Sequence, residues 1–400
     1  ENTTAVTTLT AADPDFGTTL SFGIVGGADQ NKFTVDATTG VLAFQVAPDF
    51  EVPTDADSNN IYDVIVRVTD SGDLIDEQAI AVTVQPVNDN NPVFTSTATP
   101  SVAENQAAVV TLTATDADVP AQTVSFTITG GVDQSKFQIL STNQLQFVAA
   151  TDFERPSDVN GDNAYLVTVR ATDNGGLFTD QALSVHVTNV NEQPIDITLS
   201  NNSVAENQLS GTLVGNLLAT DPDVGDTQTF TLISGTGSTD NASFQIVGNQ
   251  LRTNASFDFE INNSFTIRVR ATDSGALFFE KVFAINIANV NDAPVVNAAT
   301  FSMAENRANG VTVGTVVASD TDGGTVLTFG IIGGNTNNAF AINANTGAIT
   351  VANSSALNFE ITPSFALIVQ ATDNGTPLLS ASNTITIQLT NVNELPTANN

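Results

Sequence analysis

Cysteine is absent from the 400 residues, which excludes disulfides, thiolate metal sites and thiol catalysis together. Tryptophan is also absent, there is a single histidine, and only 10 Lys and Arg residues accompany 43 Asp and Glu residues, for a net charge of −33. A surface this acidic repels nucleic acid and anionic lipid headgroups and attracts cations. We therefore expect no nucleic-acid partner.

Long apolar runs are missing as well, so the sequence predicts no membrane-spanning segment, and it shows no signal peptide. The apolar residues that are present suffice for several small cores, because they make up 41% of the chain and include 24 Phe. At about 100–150 residues per domain, a chain of 400 residues predicts three or four domains.

Short motifs recur four times in one order along the chain, which indicates tandem repeats. The motifs are Glu-Asn, beginning at Glu1, Glu104, Glu206 and Glu305; Asp-Phe-Glu, at Asp49–Glu51, Asp152–Glu154 and Asp258–Glu260, with Asn358–Glu360 as the fourth copy; Thr-Asp, ending at Asp70, Asp173, Asp273 and Asp373; and Val-Asn-acid, at Val87–Asp89, Val190–Glu192, Val290–Asp292 and Val392–Glu394. We predict repeats at residues 1–90, 91–192, 193–292 and 293–400, the first truncated at its N-terminus and the fourth carrying a C-terminal linker.

Each repeat has the pattern of a β domain. In repeat 1, Tyr62, Val64 and Val66 occupy every second position, a period that indicates a strand with one buried face. Further short runs rich in Val, Ile, Phe and Thr are separated by Gly, Asn and Asp clusters, and no segment shows a sustained helical period. About seven strands in about 100 residues predict an all-β Greek-key sandwich. We expect four seven-stranded sandwiches in tandem, arranged as a rod.

A second acidic motif, two carboxylates at positions i and i+2 of a loop, lies early in each repeat. Its copies are Asp13–Asp15, Asp116–Asp118, Asp221–Asp223 and Asp320–Asp322. Two such carboxylates can hold one hard cation, and calcium takes about six to eight oxygens from carboxylates, amides and backbone. Because Asp, Glu and Asn are the residues that recur, the sequence predicts calcium sites; magnesium would keep more of its water.

At this point the chain resembles the cadherin repeat family over essentially its whole length. The matching features are the Glu-Asn opening, the Asp-x-Asp pair, Asp-Phe-Glu in place of the family's acid-Arg-Glu, the Thr-Asp after the long strand, and the linker Val87–Pro92. The resemblance implies calcium ions between successive repeats, with ligands from both repeats and from the linker that joins them.

Carried over residue by residue, the resemblance implies three sets of metal ligands. The first junction would use Glu1, Asp49, Glu51, Asn88, Asp89, Asn90, Asp116, Asp118 and Asp173. The second would use Glu104, Asp152, Glu154, Asn191, Glu192, Asp221, Asp223 and Asp273. The third would use Glu206, Asp258, Glu260, Asn291, Asp292, Asp320, Asp322 and Asp373. Together the three sets account for 21 of the 43 acids.

Two half-sets stand at the ends of the sequence. They are Asp13, Asp15 and Asp70 in repeat 1, and Glu305, Glu360, Asn393 and Glu394 in repeat 4. We therefore expect that repeats continued on both sides and that the chain is a piece of a longer polypeptide.

The linkers depart from the family pattern at their first position, where the family has Asp. That position holds Pro86, Asn189, Asn289 and Asn391. One ligand is weakened or lost at each junction, so both two ions and the family's usual three are compatible with the sequence.

Repeats 1 and 2 also carry a six-residue insertion after Asp-Phe-Glu. Its oxygen-bearing residues are Asp55, Asp57 and Asn59 in one copy and Asp158, Asn160 and Asp162 in the other. Donors at positions 1, 3 and 5 of a tight loop are how calcium loops begin, so an extra calcium ion in each loop is one prediction. A solvated polar hairpin tip is the alternative, because no glutamate follows at the EF-hand distance.

The function implied is mechanical rather than enzymatic. Without calcium the converging acids repel, and with calcium they become shared ligands that order the linker. We expect a calcium-rigidified extracellular rod of a cell-surface or secreted adhesin, and the lack of Cys and scarcity of Lys suggest a bacterial source.

Three partner classes stay open beyond calcium and the neighbouring repeats: self-association into a filament or sheath, a cell-surface protein, and a glycan. No enzyme is expected, because the paired acids recur in every repeat. The single histidine, His186, lies in an alternating strand that predicts an exposed position.

Overall fold

Four separate hydrophobic cores follow one another along the chain in the computed structural model, which describes residues 1–395. The chain divides into two units, Glu1–Val190 and Asn191–Asn400, and each unit contains two of the cores. Residues 396–400, the end of the predicted fourth repeat, lie outside the described residues. The exact repeat limits stay a prediction.

The strands are numbered in chain order. In the first unit, repeat 1 contains β1 (Ala5–Thr8), β2 (Ser21–Gly26), β3 (Phe33–Val35), β4 (Val41–Phe44), β5 (Ile61–Thr69) and β6 (Ile75–Thr83). Repeat 2 contains β7 (Val93–Phe94), β8 (Ser101–Ala103), β9 (Ala108–Thr111), β10 (Ala114–Thr115), β11 (Ser125–Gly130), β12 (Phe137–Ile139), β13 (Gln144–Phe147), β14 (Ala164–Thr172) and β15 (Phe178–Thr188).

The second unit has the same arrangement. Repeat 3 contains β16 (Asp196–Leu199), β17 (Ser203–Ala205), β18 (Leu213–Thr220), β19 (Thr229–Leu232), β20 (Phe244–Val247), β21 (Gln250–Thr253), β22 (Ser264–Thr272) and β23 (Phe278–Ala288). Repeat 4 contains β24 (Val295–Val296), β25 (Ala299–Ala304), β26 (Thr312–Thr315), β27 (Ala318–Ser319), β28 (Thr328–Gly333), β29 (Phe340–Ile342), β30 (Ala348–Val351), β31 (Ser364–Thr372) and β32 (Ser380–Thr390).

In the part of the chain that the structure describes, helical structure is confined to short turns of 3-10 helix. They span Gln30–Lys32, Gln134–Lys136, Asn241–Ser243, Thr336–Asn338 and Ser354–Ala356. Across residues 1–395, no helix has the length and apolarity needed to cross a bilayer.

Repeats 2 and 4 have the same sheet arrangement, described here for repeat 2. One sheet has the order β11-β14-β15-β8, in which β8 runs parallel to β15 and the other pairs are antiparallel. The opposing strands form the sheet β12-β13-β9 and the short pair β7-β10. The same parallel pairing recurs as β17 with β23 and β25 with β32. The expected all-β fold of tandem sandwiches is confirmed.

The long hairpin of each repeat explains the period of two in the sequence. In β14, Tyr165, Val167 and Val169 point into the core and are almost fully buried. Outward on the same strand, Arg170 lies opposite Asp180 of β15 and forms an ion pair with it at 2.8 Å. Burying each of these apolar side chains contributes about 1.5–3 kcal/mol, so the hairpin anchors the loops at both of its ends.

Two tyrosines connect this core to the inserted loops. The hydroxyl of Tyr62 accepts a hydrogen bond from the Thr54 N–H at 3.1 Å, and that of Tyr165 accepts one from the Ser157 N–H at 2.9 Å. Repeats 3 and 4 have no insertion and carry phenylalanine at the equivalent position. A buried hydroxyl needs a hydrogen-bond partner, and in repeats 1 and 2 the residue just before Asp55 or Asp158 supplies it.

Candidate metal sites

The glutamate of each Glu-Asn motif holds two backbone N–H groups at once. Glu206 accepts from the Phe259 N–H at 2.7 Å with Oε2 and from the Val290 N–H at 2.8 Å with Oε1. The same pair of bonds is made by Glu1 to Phe50 and Val87, by Glu104 to Phe153 and Val190, and by Glu305 to Phe359 and Val392. Each glutamate therefore ties the Asp-Phe-Glu turn to the start of the following linker.

The asparagine of the same motif adopts a left-handed backbone conformation, which asparagine tolerates better than most residues. The φ angles are 63° at Asn2, 61° at Asn105, 60° at Asn207 and 60° at Asn306. Its side chain can then reach the acid of the linker: Asn207 Nδ2 donates to Asp292 Oδ1 at 2.8 Å and Asn306 Nδ2 to Glu394 Oε1 at 2.6 Å. Asn2 makes the same contact with Asp89.

These contacts gather a first type of acidic cluster at the base of a repeat. Carboxylate oxygens of Glu1, Glu51 and Asp89 lie within 4.8 Å of one another. Burial, and then the negative charges of Glu1 and Asp118, raise the pKa of Glu51. The groups around the cluster therefore do not fully compensate its negative charge.

The second unit repeats this cluster with Glu206, Glu260 and Asp292, whose oxygens also lie within 4.8 Å. Partial desolvation, and then the charges of Glu206 and Asp322, raise the pKa of Glu260. Asp322 belongs to repeat 4, so acids of two successive repeats affect one another inside this unit.

A second type of cluster lies at the top of a repeat. In repeat 2 it consists of Asp116, Asp118 and Asp173, again with oxygens within 4.8 Å, and both Asp118 and Asp173 are buried. Burial and the charges of Asp118 and Asp173 raise the pKa of Asp116. Burial acts on Asp118 too, but hydrogen bonds from Asn90 and the Asp89 N–H outweigh it and lower the pKa of that group.

Repeat 3 has a related cluster that includes one residue missed in the sequence. Oxygens of Asp221, Asp226 and Asp273 lie within 4.8 Å. Asp226 stands five residues after Asp221 and has no counterpart in the other repeats, so a search for recurring motifs passes over it. Its only sequence signal is a further acid in the Asp-x-Asp loop.

The linker of repeat 1 contacts the acids of repeat 2 directly. Asn88 Nδ2 donates to Asp173 Oδ2 at 3.2 Å, and Asn90 Nδ2 donates to Asp118 Oδ1 at 2.9 Å. In return, the Val119 N–H of repeat 2 donates to Glu51 Oε1 of repeat 1 at 3.1 Å. The two clusters therefore face a common seam between repeats 1 and 2.

The corresponding contacts recur between repeats 3 and 4. The Asp292 N–H donates to Asp322 Oδ2 at 2.7 Å, and Asn291 Nδ2 donates to Asp373 Oδ2 at 2.8 Å. Also within the second unit, the Glu192 N–H donates to Asp223 Oδ2 at 2.7 Å and Asn191 Nδ2 to Asp273 Oδ2 at 3.1 Å.

Several oxygens of these clusters are buried without a hydrogen-bond donor among the described residues. They are Glu51 Oε2, Asn88 Oδ1, Asp116 Oδ2 and Asp118 Oδ2 in the first unit and Asp320 Oδ2 in the second. An unsatisfied buried acceptor costs about 1–3 kcal/mol, and more when it is charged. Within residues 1–395 the Arg and Lys ion pairs engage Glu77, Asp180, Glu280 and Asp196 instead, all outside the clusters. The candidate ligand atoms of the clusters are all oxygens, and most of them belong to carboxylates. This is the ligand set that a hard divalent cation such as calcium prefers.

Other predicted ligands have a visible structural role. Asp49, Asp152 and Asp258 are exposed, and one oxygen of each accepts the N–H of the turn that follows. Asn358 makes the same bond in repeat 4, which explains why the amide can replace the acid there.

The first linker position is the one at which this sequence lacks the Asp of the family pattern. There, Asn289 Nδ2 donates to Glu260 Oε1 at 3.2 Å, and Asn391 Nδ2 donates to Glu360 Oε1 at 2.8 Å. An amide therefore contacts the glutamate at the position where the family has Asp.

The predicted second-junction set divides between the units. Glu104, Asp152 and Glu154 belong to the first unit, and Asn191, Glu192, Asp221, Asp223 and Asp273 belong to the second. This set stays a prediction. Of the two half-sets, Asp13, Asp15 and Asp70 line one cavity of about 220 Å³ in repeat 1. In repeat 4, Glu305, Glu360 and Glu394 have the contacts described above, and Asn393 is exposed.

The inserted loops close on themselves. Asp55 is buried and accepts the Asn59 N–H at 2.8 Å, and the equivalent Asp158 accepts the Asp162 N–H at 3.0 Å. Partial desolvation and the adjacent Asp55 raise the pKa of Asp57. In both loops the residues at positions 3 and 5 contact each other, Asn59 with Asp57 and Asn160 with Asp162.

Two aspartates that sequence analysis passed over hold these loops in place. Asp29 accepts the N–H groups of Ala56 and Asp63 at 2.7 and 2.8 Å. Asp133 does the same for Val159 and Leu166, both at 2.9 Å. They belong to the turn before β3 and β12, far in sequence from the loops, so no local pattern predicted the contact.

Residues 200–287 and 299–390 match the family model of the cadherin domain. The two matched segments lie in repeats 3 and 4, whose sandwiches and acidic seam are described above. The resemblance stated from the sequence is confirmed.

The chain is 29% identical over 412 residues to Protocadherin Fat 4 of Homo sapiens, covering 97% of this chain and 8% of that protein. It is 29% identical over 417 residues to the Protocadherin-like wing polarity protein stan of Drosophila melanogaster, covering 98% and 11%. The chain therefore spans about a tenth or less of the length of these relatives. Since protocadherins are adhesion proteins and not enzymes, the expectation that no enzyme is present is also confirmed.

Solved structures confirm the fold. The five-domain fragment described as Protocadherin Gamma B2 extracellular cadherin domains 1-5 superimposes with a TM-score of 0.64 at 21% identity, covering 98% of this chain and 78% of that one. Mouse Cadherin-23 EC22-24 superimposes with a TM-score of 0.54 at 22% identity, covering 76% and 100%.

Proposed function

We propose that this chain is a section of an extracellular adhesion protein that is stiffened by calcium bound between successive repeats. The observation that carries the proposal is the set of buried oxygens without donors at the seam between repeats 1 and 2, contributed by Glu51, Asn88, Asp116 and Asp118. These four residues come from repeat 1, the linker and repeat 2, so one bound cation would contact both repeats.

In this proposal the first seam holds calcium through Glu1, Glu51, Asp89, Asp116, Asp118 and Asp173, with Asn88 and Asn90 as neutral ligands. The seam between repeats 3 and 4 uses Glu206, Glu260, Asp292, Asp320, Asp322 and Asp373, with Asn291. Six carboxylates per seam repel one another at neutral pH, and the raised pKa values of Glu51, Asp116 and Glu260 support that interpretation. Two or three divalent ions would neutralise most or all of this charge.

Calcium would act by supplying positive charge to both sides of a seam. Because the ordered arrangement binds the ion and a flexed linker does not, binding stabilises the ordered arrangement by mass action. The backbone contacts made by Glu1 and Glu206 already fix the linker start, so the ion needs to order only the remaining side chains. The expected result is a stiff rod that carries an adhesive region away from its anchor.

The decisive experiment is small-angle scattering of the full chain with calcium and after chelation, beside a calorimetric calcium titration. We expect a sharply defined maximum dimension with calcium and a broadened distribution without it, together with a higher melting temperature in calcium. Magnesium at the same concentration is the control and should reproduce little of the effect. Identical scattering and identical melting in both states would contradict the proposal.

The inserted loops are a further proposed calcium site in repeats 1 and 2, using Asp55, Asp57 and Asn59 and their counterparts Asp158, Asn160 and Asp162. The raised pKa of Asp57 beside Asp55 supports it. The alternative is a self-satisfied hairpin tip.

A calorimetric calcium titration of the Asp57→Asn variant separates the two readings of the loop. The substitution removes one charged ligand, so we expect it to remove one weak binding event and to leave the seam sites intact. Asp36→Asn is the matched control, because Asp36 is an exposed acid of the turn between β3 and β4, and an asparagine keeps the side-chain oxygen that accepts the Thr38 and Thr39 N–H groups. An unchanged number of bound ions in the Asp57→Asn variant would favour the hairpin tip.

The setting proposed is extracellular, at a cell surface or in secreted form. The suggestion of a bacterial adhesin stays a prediction from composition, since the relatives named above are animal proteins.

A further inference from the structure

Asn60 and Asn163 end the two inserted loops and reach back to the Asp-Phe-Glu turn. Asn60 Nδ2 donates to the Phe50 carbonyl at 2.9 Å, and Asn163 Nδ2 donates to the Phe153 carbonyl at 2.8 Å. Both asparagines have a left-handed backbone, with φ angles of 63° and 62°, a conformation that asparagine tolerates better than most residues. Sequence analysis singled out neither of them, because they follow the pattern of oxygen donors rather than belonging to it.

The residue that each asparagine holds is also held by a seam glutamate. The Phe50 N–H donates to Glu1 Oε2 at 2.6 Å, and the Phe153 N–H donates to Glu104 Oε2 at 2.8 Å. The N–H and the carbonyl of one residue are therefore both engaged, the first by the glutamate and the second by the loop amide. A displaced loop asparagine would release the turn whose N–H the glutamate binds.

The same asparagines contact the acid that opens the inserted loop. The Asn60 N–H donates to Asp55 Oδ1 at 3.4 Å, and the Asn163 N–H donates to Asp158 Oδ1 at 3.4 Å. These two aspartates are proposed ligands of the loop calcium ions. One hydrogen-bonded path therefore leads from the loop acid through the asparagine and the phenylalanine backbone to the seam glutamate.

Repeats 3 and 4 lack both the insertion and this path. In repeat 3, Asn263 has the equivalent place, and its carbonyl accepts the Ile287 N–H as in the other repeats. Its backbone is not left-handed, and among the described residues its exposed side chain makes no hydrogen bond to the turn at Phe259. Repeat 4 has Pro363 there, which carries no amide side chain. The inserted loop, and not the residue type alone, directs the amide to the turn.

The second atom of each loop amide is left without a partner. Asn60 Oδ1 and Asn163 Oδ1 are buried and accept no hydrogen bond among the described residues. A buried amide satisfied at one end only is a poor stabiliser of the calcium-free chain, because the other end has lost its contact with water. The side-chain bond that does form leads to the turn that the seam glutamate binds.

We propose that Asn60 and Asn163 are positioning residues that couple calcium in the inserted loop to the seam glutamate of the same repeat. A cation in the loop fixes the loop acid, the adjacent asparagine holds the turn, and the turn presents its N–H to the glutamate. Calcium in the loop of repeat 1 therefore raises the calcium affinity of the seam between repeats 1 and 2, and the seam ion raises that of the loop equally. The inference rests on the proposed function, including the loop ion.

The test is hydrogen exchange of the full chain during a calcium titration. It reads two seams separately, because the Val87 N–H and the Val290 N–H each donate to a seam glutamate. Asp57→Asn leaves the seam acids in place, but we expect it to raise the calcium concentration that protects Val87 by about fivefold or more and to leave Val290 unchanged. Asn60→Gly keeps the left-handed backbone and should give the same shift. Asn263→Ala is the matched control and should shift neither amide.

The double variant Asp57→Asn, Asn60→Gly separates coupling from a merely structural role. If the asparagine acts through the loop ion, the double variant shows the shift of one single variant; shifts that multiply would overturn the proposal. An unshifted midpoint at Val87 in either single variant would overturn it too. If Asn60→Gly unfolds repeat 1, Asn60→Asp replaces it, since it keeps the size and lacks the donor. A chain in which neither Val87 nor Val290 responds to calcium would refute the proposed function itself, and this inference with it.

Discussion

Asn88 and Asp173 contact each other across the seam between repeats 1 and 2, where Asn88 Nδ2 donates to Asp173 Oδ2 at 3.2 Å. The other end of the same amide, Asn88 Oδ1, is buried without a donor. Gly175 makes room for this side chain, because a Cβ at that position would overlap the amide. Asn291, Asp373 and Gly375 form the same set between repeats 3 and 4. The linker amide, the acid and the glycine therefore form the same set of neighbouring residues in both seams.

Gly175→Ala should weaken calcium binding at the first seam. The added methyl group must displace Asn88, which removes one ligand oxygen and its contact with Asp173. We expect the affinity to fall about tenfold, or about 1.4 kcal/mol, in a calorimetric titration. Gly72→Ala is the matched control, since the corresponding Cβ in repeat 1 meets only Asp70 at 3.4 Å. Equal affinities of the two variants would show that the glycine has no role in binding.

Glu206→Gln should destabilise repeat 3 even without calcium. The glutamate is fully buried, and both of its oxygens accept backbone N–H groups. A glutamine turns an NH₂ group toward one of those donors, so we expect a loss of about 2–3 kcal/mol in urea unfolding in the presence of chelator.

Glu260→Gln is the control for that substitution, because the Glu260 side chain is exposed and its pKa is raised by partial desolvation and by neighbouring acids. It should leave the free energy of unfolding in chelator unchanged or slightly higher, because it removes a charge that the neighbouring acids repel, and it should reduce calcium affinity. The role assigned to Glu206 would be wrong if both variants unfolded at the same urea concentration.

Tyr165→Phe should lower the stability of repeat 2 by about 1 kcal/mol, because the Ser157 N–H loses its acceptor. The reverse substitution in repeat 3, Phe265→Tyr, should also destabilise, since no inserted loop is present there to satisfy the new hydroxyl. Thermal unfolding of both variants measures this directly. A stabilised Phe265→Tyr variant would show that the hydroxyl and the loop are not coupled.

Calcium binding should release protons in mildly acidic solution. The pKa values of Glu51 and Asp116 are raised in the calcium-free chain, so protons compete with calcium at a higher pH than at a free carboxyl group of pKa about 4. Each group is protonated below its raised pKa, so the calcium affinity falls as the pH decreases through that range.

Calorimetry at about pH 5 in two buffers of different ionisation enthalpy measures the released protons, at a pH near the free-carboxyl range. The double variant Glu51→Gln, Asp116→Asn should release fewer. If the measured enthalpy of calcium binding to the unmodified chain were the same in both buffers, the raised pKa values would play no part in binding.

The sequence predicts the sandwich and most of the seam because both are repeated. The alternation at Tyr62, Val64 and Val66 and the recurring acids follow from local pattern, and four copies remove chance matches. A search for recurring motifs cannot reveal a contact that occurs in one repeat only, or one that joins residues far apart in the sequence. Asp226 occurs in one repeat only, and Asp29 reaches a loop 27 residues away in sequence.

The paired backbone contacts of Glu206 also couple ion binding to the mechanical strength of the repeat. The same carboxylate joins the turn at Phe259 to the linker at Val290 and lies in the cluster with Glu260 and Asp292. Pulling the linker away from the sandwich would break this carboxylate's bonds and disperse the cluster in one event. Under tension, a bound ion would therefore raise the force at which the repeat begins to unravel, and its departure would mark that the repeat has yielded.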